Sequence, residues 1–592
     1  MKTFVAFGLL ATALAIPNAY AEDPPPADTP QFLDQGWNDE QRSKFYFTPQ
    51  GSHLIPWDFF LNLEQSDSSK LFADPDNMDR LRFVVSPKSD LNPDGLPVGF
   101  VKDGANQRFG IKRAYLGKNY RKVYQKSDMF GLTCAACHTS QIEYDGKVLQ
   151  IDGGAAMSDF ERFLKELSES LEATLGDNEK FNNFARRLNA SEGDKDKLRI
   201  RLTGYSKKLS QLVKRNKADQ PYGFARLDAF GAILNAVCEL AVDNDNNHVE
   251  ANAPVSYPTL WDAPHYDFVQ WNATAPEALG RNVGEVLGVF GFFDLRPGKR
   301  QFDSTVRLKE LQELEDLLRS LKSPHWPEDV FGALDSERVT RGKQLFNTNC
   351  ASCHQTRNDN GEFSVDARGR IKTVSVPFKT GLVPGKHGVD TDAAMVENFI
   401  GPKAEPGNLK EAVEKQLLGQ TPPGALDNGK APRPVILTVA VGSIIRKLLE
   451  KANISPPANG PAAPAIRFSG AAYISRPLNG IWASAPYFHN GSVPNLWETL
   501  LPASKRSKTF YVGSRKFDPK HVGFETEKTP GAFLFQSVDN DGKVIRGNSN
   551  AGHEGHGDDT SQGYTETFEN NAWREFTDEE RWDLVEFMKS LK

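Results

Sequence analysis

The sequence predicts a mainly α protein with long loops and short β hairpins, and three observations carry that prediction. Stretches such as "MSDFERFLKELSESLEATL" and "TVRLKELQELEDLLRSL" repeat apolar residues at helical spacing, while strict alternation is confined to short runs such as "QIEYDGKVLQID". Gly and Pro, 48 and 37 in number, break up much of the rest into loops. The third observation is a repeat: "CAACH" begins at Cys134 and "CASCH" at Cys350, which splits the 592 residues into two halves that face a similar task.

That repeat sets the chemistry. With 5 Cys and 11 His in the chain, one Cys-x-x-Cys-His is expected by accident about 0.0006 times, so two copies require a cause. The spacing lets two thiols, Cys134 and Cys137 or Cys350 and Cys353, add to the two vinyl groups of a haem. The adjacent imidazole, His138 or His354, then turns in as an iron ligand. A zinc shell would explain paired cysteines but gives no reason for His at the next position in both copies. A redox dithiol leaves the His equally unexplained. The expectation is two covalently attached c-type haems with their irons, in two cytochrome c-like haem domains spanning residues 22–335 and 336–592.

Taken in order, the elements agree. Residues 1–21, "MKTFVAFGLLATALAIPNAYA", have a Lys at position 2, an apolar run from Phe4 to Ile16 and a small-residue end, which predicts a signal peptide cut after Ala21 and a periplasmic or secreted chain. That run is too short to span a bilayer, as is "VILTVAVGSII" from Val435, so an integral membrane protein is not expected. After the first motif, "QIEYDGKVLQID" turns at Asp145-Gly146, a hairpin signal. Ser158, with Glu161 three residues on, is the expected cap of the next helix. "FGAILNAVCELAV" holds the fifth cysteine, Cys238, which reads as a small buried hydrophobe. The leucines at 308, 311, 314, 317, 318 and 321 read as core, and "KSPHWPEDVFG" as a boundary.

The second half opens with "SERVTRGKQLFNTNCASCH", placing Val339, Gly342, Leu345 and Phe346 on one helical face, with Gly342 open to close approach. It ends on "FTDEERWDLVEFMKSLK", with a Thr577/Glu580 capping box and Leu584, Val585, Met588 and Leu591 on one face. These two helices are expected to cross. The formal charge of −6 is mild and no Lys/Arg block is present, so neither nucleic acid nor anionic lipid is an expected partner.

Beyond the haem motifs, "RPLNGIWASAPYFHNGSVPNL" (476–496), "FYVGSRKFDP" and "RGNSNAGHE" (546–554) resemble the di-haem rubber oxygenases. More broadly, they resemble the bacterial di-haem cytochrome c peroxidase superfamily with its fatty-acid dioxygenase and diol-synthase members. The resemblance implies a division of labour. His138 binds the first iron and leaves its other face open for O2 or peroxide, while His354 shares the second iron with another protein ligand. A Trp between the haems carries electrons; Trp261 matches that position and Trp271 is its rival. The resemblance places the second iron's other ligand at His553, ahead of His556 and then His489. His387, Met395 and His521 are the remaining candidates. His489, in "APYFHNGSV", is expected to support a haem pocket by hydrogen bonding.

Three functional classes follow. An oxygenase would place an apolar roof over the first haem and act with O2 on C=C bonds of polyisoprene or an unsaturated fatty acid. A peroxidase would need a carboxylate or His there to assist O–O cleavage, and a plain electron carrier would close both irons. The resemblance favours the oxygenase, with a small redox protein as a further partner. A calcium ion between the domains is a cofactor for which the sequence holds no support.

Overall fold

A hairpin, a run of capped helices and one glycine-mediated helix crossing give the molecule its frame. The computed structural model describes residues 30–104, 127–276, 278–358, 361–379, 388–419, 424–454, 472–553, 566–569 and 572–592. The expected signal peptide, His387 and His556 lie outside the described residues. The described residues are 40% helix and 15% strand, with small sheets only among them, as the mainly α expectation requires.

Strands β1 (Thr139–Tyr144) and β2 (Lys147–Asp152) pair antiparallel from Thr139↔Asp152 to Tyr144↔Lys147. Asp145 and Gly146 adopt φ of 47° and 74°, the left-handed pair a two-residue turn needs. Helix α1 (Phe160–Gly176) starts one residue later than Ser158 would have it. Asp159 is the cap, its carboxylate accepting from Arg162 N, while Glu161 turns away to accept from Tyr222 N at 2.7 Å. Asp159 is thus the side chain that reaches the orphan amide. α1 packs on α2 (Glu192–Arg215), burying Phe163, Leu167 and Leu171 against an aromatic cluster in which Phe60 and Phe130 stack 3.8 Å apart.

Helix α3 (Ala278–Gly288) packs on α4 (Leu308–Leu318), whose Leu311, Leu314 and Leu318 are buried, so the leucine stripe is core. Cys238 is also buried, in a π-helical turn. Helix α5 (Ser336–Asn349) precedes the second motif. α6 (Arg433–Lys451) contains the "VILTVAVGSII" run, buried in a core with Ile233, Leu287 and Leu311. Among the described residues no helix is long and apolar enough to cross a membrane. Cores cross residue 335: Phe45, Ile151 and Leu314 share one cluster with Phe346, Trp482 and Leu584.

α7 (Asp578–Lys589) carries the expected Thr577/Glu580 capping box and crosses α5. Arg341 and Arg338 of α5 clasp the buried Asp583 at 2.8 and 3.1 Å, and Phe346 meets Phe587 at 5.2 Å. Gly342 makes this possible, since a Cβ there would sit 1.9 Å from the Asp583 carbonyl oxygen. Gly342→Ala is therefore expected to cost about 3 kcal/mol, the upper end for overpacking. A denaturation midpoint equal to the parent protein's would contradict this packing.

Candidate haem sites

The two Cys-x-x-Cys-His motifs fold alike. At the first, Thr133 Oγ1 caps a single turn by accepting from Ala135 N, and His138 N donates back to Cys134 O at 3.0 Å. At the second, α5 hands over to Cys350, and His354 N donates to Cys350 O at 2.9 Å. In both, this closing amide bond holds the imidazole beside its cysteine pair. All four thiols are pushed upward by burial, Cys134, Cys137 and Cys350 to about 12.

Each imidazole is also fixed in tautomer. His138 Nδ1 lies 2.8 Å from Pro258 O and His354 Nδ1 lies 2.7 Å from Arg476 O, with Ser475 Oγ at 3.0 Å. A carbonyl can only accept, so Nδ1 carries the proton in both and Nε2 presents its lone pair. Burial lowers the pKa of His138 to about 4 and lowers that of His354 as well. Both rings are therefore neutral at pH 7, the form that binds a metal.

Opposite His354 stands His553, with ring centres 6.2 Å apart. A metal–imidazole bond is about 2 Å long, so rings at this separation would hold one metal ion between them. His553 has a left-handed backbone, φ 61°, uncommon outside glycine. Its loop is tied down before it: Arg506 donates to Asn550 O and Gly552 O, and Thr391 Oγ1 to Ala551 O. Burial lowers the His553 pKa to about 3, helped by His354 and Arg506.

His489 sits elsewhere. Its ring packs on Tyr473 at 4.1 Å and Trp271 at 6.3 Å, its carbonyl accepts from Ser256 N, and its buried Nε2 lacks a protein partner. Met395 is buried core in the helix Ala394–Ile400, and His521 pairs with Asp518 at 2.6 Å. Trp261 is buried, its indole donating to Asn479 O at 2.8 Å. It lies where the segment 258–262, which holds His138, meets 476–480, which holds His354. Trp271 instead lines a cavity beside His138, its indole donating to Ser256 O.

That cavity, about 180 Å³, is bounded by Cys134, Cys137 and His138 and by apolar walls that include Phe160, Phe230, Ile233, Val255, Val289 and Leu318. It also carries what the sequence reading missed. Glu285 and Arg281 of α3 line it, and Gln270 Nε2 donates to Glu285 Oε1 at 2.8 Å. Burial raises the Glu285 pKa against the opposing pull of Arg281 and the Gln270 bond. From sequence, Arg281 and Glu285 look like an ordinary exposed i,i+4 pair. In the fold Arg281 turns to Glu315 of α4 at 2.6 Å, leaving Glu285 to the cavity. An apolar wall is present, but a carboxyl stands in it.

These features fit haem. Thiols sit beside neutral, oriented imidazoles, and Gln50 Nε2 is buried on the cavity wall without a protein partner, a donor left for a bound group. Among the described residues no three His, Cys, Asp or Glu side chains converge as a closed metal shell would.

Comparison with known proteins agrees with this chemistry. Residues 339–403, which contain the second motif, match the cytochrome c family. Residues 472–511, which contain Arg476 and His489, match the family described as RoxA-like, cytochrome c-like. The uncharacterized protein y4iJ of Sinorhizobium fredii (strain NBRC 101917 / NGR234) is 30% identical over 575 residues, spanning 90% of this chain and 89% of its own length. The uncharacterized y4iM of the same strain is 27% identical over 267 residues, 45% of this chain and 48% of its own. Matched to y4iJ along nearly its whole length and carrying these two segments, the chain belongs to the RoxA-like family of c-type cytochromes, which hold haem covalently.

Proposed function

We propose that this chain is an exported oxidoreductase with two c-type haems, and that it reduces a peroxide at the first with electrons delivered through the second. The observation that carries this reading is Glu285, half-buried and held by Gln270 on the wall of the cavity that His138 also lines. A haem bound at Cys134, Cys137 and His138 supplies an iron that exchanges electrons and has a coordination position for substrate.

The side chains supply the rest. Reduction of hydrogen peroxide to two waters consumes two electrons and two protons, and the departing oxygen needs a proton as the O–O bond breaks. Glu285, favoured in its protonated form by burial, holds that proton, and Gln270 fixes the carboxyl's direction. The rest of the wall is mostly apolar, so few other side chains there can give or take a proton. His354 and His553, with ring centres 6.2 Å apart, would together hold the second haem's iron, which would supply a closed centre that stores an electron from a small one-electron redox protein. The predicted signal peptide and the extracytoplasmic attachment of c-type haem support a periplasmic location.

A second reading keeps one specific support. The apolar walls, together with the RoxA-like match, suit an O2-dependent oxygenase that draws in polyisoprene or an unsaturated fatty acid by burying its chain, worth about 0.8 kcal/mol per CH2. Peroxide consumption with a reduced cytochrome c and O2 uptake with oleate or polyisoprene separate the two. Fast peroxide turnover without O2 uptake is expected. Fast O2 uptake with idle peroxide chemistry would replace the first reading by the second.

A further inference from the structure

The peptide segments that orient the two haem-binding histidines are themselves bonded together. Pro258 O accepts from His138 Nδ1 at 2.8 Å, and the next carbonyl along, Thr259 O, accepts from Arg476 Nη2 at 2.8 Å. The carbonyl of the same Arg476 then accepts from His354 Nδ1 at 2.7 Å. One arginine thus reaches one imidazole with its backbone and, through a single peptide step, the other with its guanidinium. We propose that Arg476 is a positioning residue that couples the two haem sites, and that its side-chain bond to Thr259 sets how fast an electron passes between them. This rests on the reading that His138 and His354 bind haem.

Three features support a built link rather than an incidental contact. Arg476 follows directly on the strand Ala472–Ser475, which pairs with Val374–Pro377 from Ala472↔Pro377 to Ser475↔Val374, so its backbone is held in register. Arg476 lines the first haem cavity, and its guanidinium lies 5.1 Å over the Tyr266 ring, which fixes the side chain's course. The His354 end does not depend on the side chain, because the carbonyl belongs to the backbone and Ser475 Oγ lies 3.0 Å from His354 Nδ1. A substitution at 476 therefore changes the side-chain link to Thr259 and leaves the backbone bond to His354.

The other candidate route is longer. Trp261 Nε1 reaches Asn479 O at 2.8 Å, two residues beyond Thr259 on one side and three beyond Arg476 on the other. Coupling through hydrogen bonds and covalent bonds weakens with each added step, so the Arg476 route is the more direct connection between the two imidazoles.

Arg476→Lys, Arg476→Gln and Trp261→Phe test this in the full-length, haem-loaded protein. Lys keeps the positive charge but not the planar fork, and Gln removes the charge as well. Intact mass gives the haem content of each, redox titration gives the two midpoint potentials, and flash photoreduction gives the rate of electron equilibration between the haems. The expected result is that Arg476→Lys keeps its haems and folded spectrum while equilibration falls clearly below the parent rate. Trp261→Phe is expected to slow it less. Equilibration at the parent rate in Arg476→Lys with all haem retained would overturn the proposal, and so would a far larger effect of Trp261→Phe. Should Arg476→Gln fail to fold, Arg476→Lys decides alone. Haem content of the unsubstituted protein is measured first; fewer than two haems would overturn the haem reading and this proposal together, whereas two haems with unchanged equilibration would overturn this proposal only.

Discussion

Glu285→Gln lowers the rate of peroxide reduction by about a hundredfold to ten-thousandfold, the range for loss of a general acid, while haem content stays the same. The substituted amide has nearly the shape of the carboxylic acid and can still bond to Gln270, but it has no acidic proton to give. Dependence on pH follows from the direction of the pKa. Burial raises the Glu285 carboxyl above its ordinary value, so the acid form persists at low pH and is lost as pH rises through the raised pKa. Activity should fall on that alkaline limb in the parent protein, and the limb should vanish in Glu285→Gln. A variant with the parent's peroxide rate and pH profile would remove Glu285 from the chemistry and favour the oxygenase reading.

His553→Ala should convert the second haem from low-spin, six-coordinate iron to a high-spin or exchangeable state. The ring centre of His553 lies 6.2 Å from that of His354, and no substitution by a methyl group can span that gap. Added imidazole should restore the low-spin signal, which a variant damaged elsewhere would not allow. His489→Ala is the control. Its ring is packed between Tyr473 and Trp271, so its loss should disturb the first cavity's surroundings and spare the low-spin signal. Electron paramagnetic resonance of both variants reads this directly. An unchanged spectrum in His553→Ala with a changed one in His489→Ala would reverse the two assignments.

Local signals carried much of the fold. The Asp145-Gly146 hairpin, the Thr577/Glu580 box and the close approach at Gly342 all depend on residues a few positions apart or on the absence of one side chain. The cap of α1 shows how fine that reading can be: Ser158 and Asp159 are both good caps, and only the backbone decides which one reaches the Arg162 amide. The cysteine motifs were legible because covalent attachment requires fixed spacing. Glu285 was not, since Arg281, its i,i+4 neighbour, pairs instead with Glu315, 34 residues away in sequence. Arg476 was hidden for a similar reason, as its partners are Thr259 and His354 and neither contact leaves a trace in the residues beside it. Sharing of cores across residue 335 is another long-range property: Ile151 and Leu584 meet in one cluster, yet each sits in an unremarkable local pattern.

Each Cys-x-x-Cys-His motif is expected to carry its own covalent haem. Intact mass under denaturing conditions, on protein exported by cells with a working haem-attachment system, tests it most directly. The expected mature chain begins after Ala21 and carries two haem additions, falling to one when Cys350 and Cys353 are changed to Ala. A mature chain carrying one haem or none would contradict it.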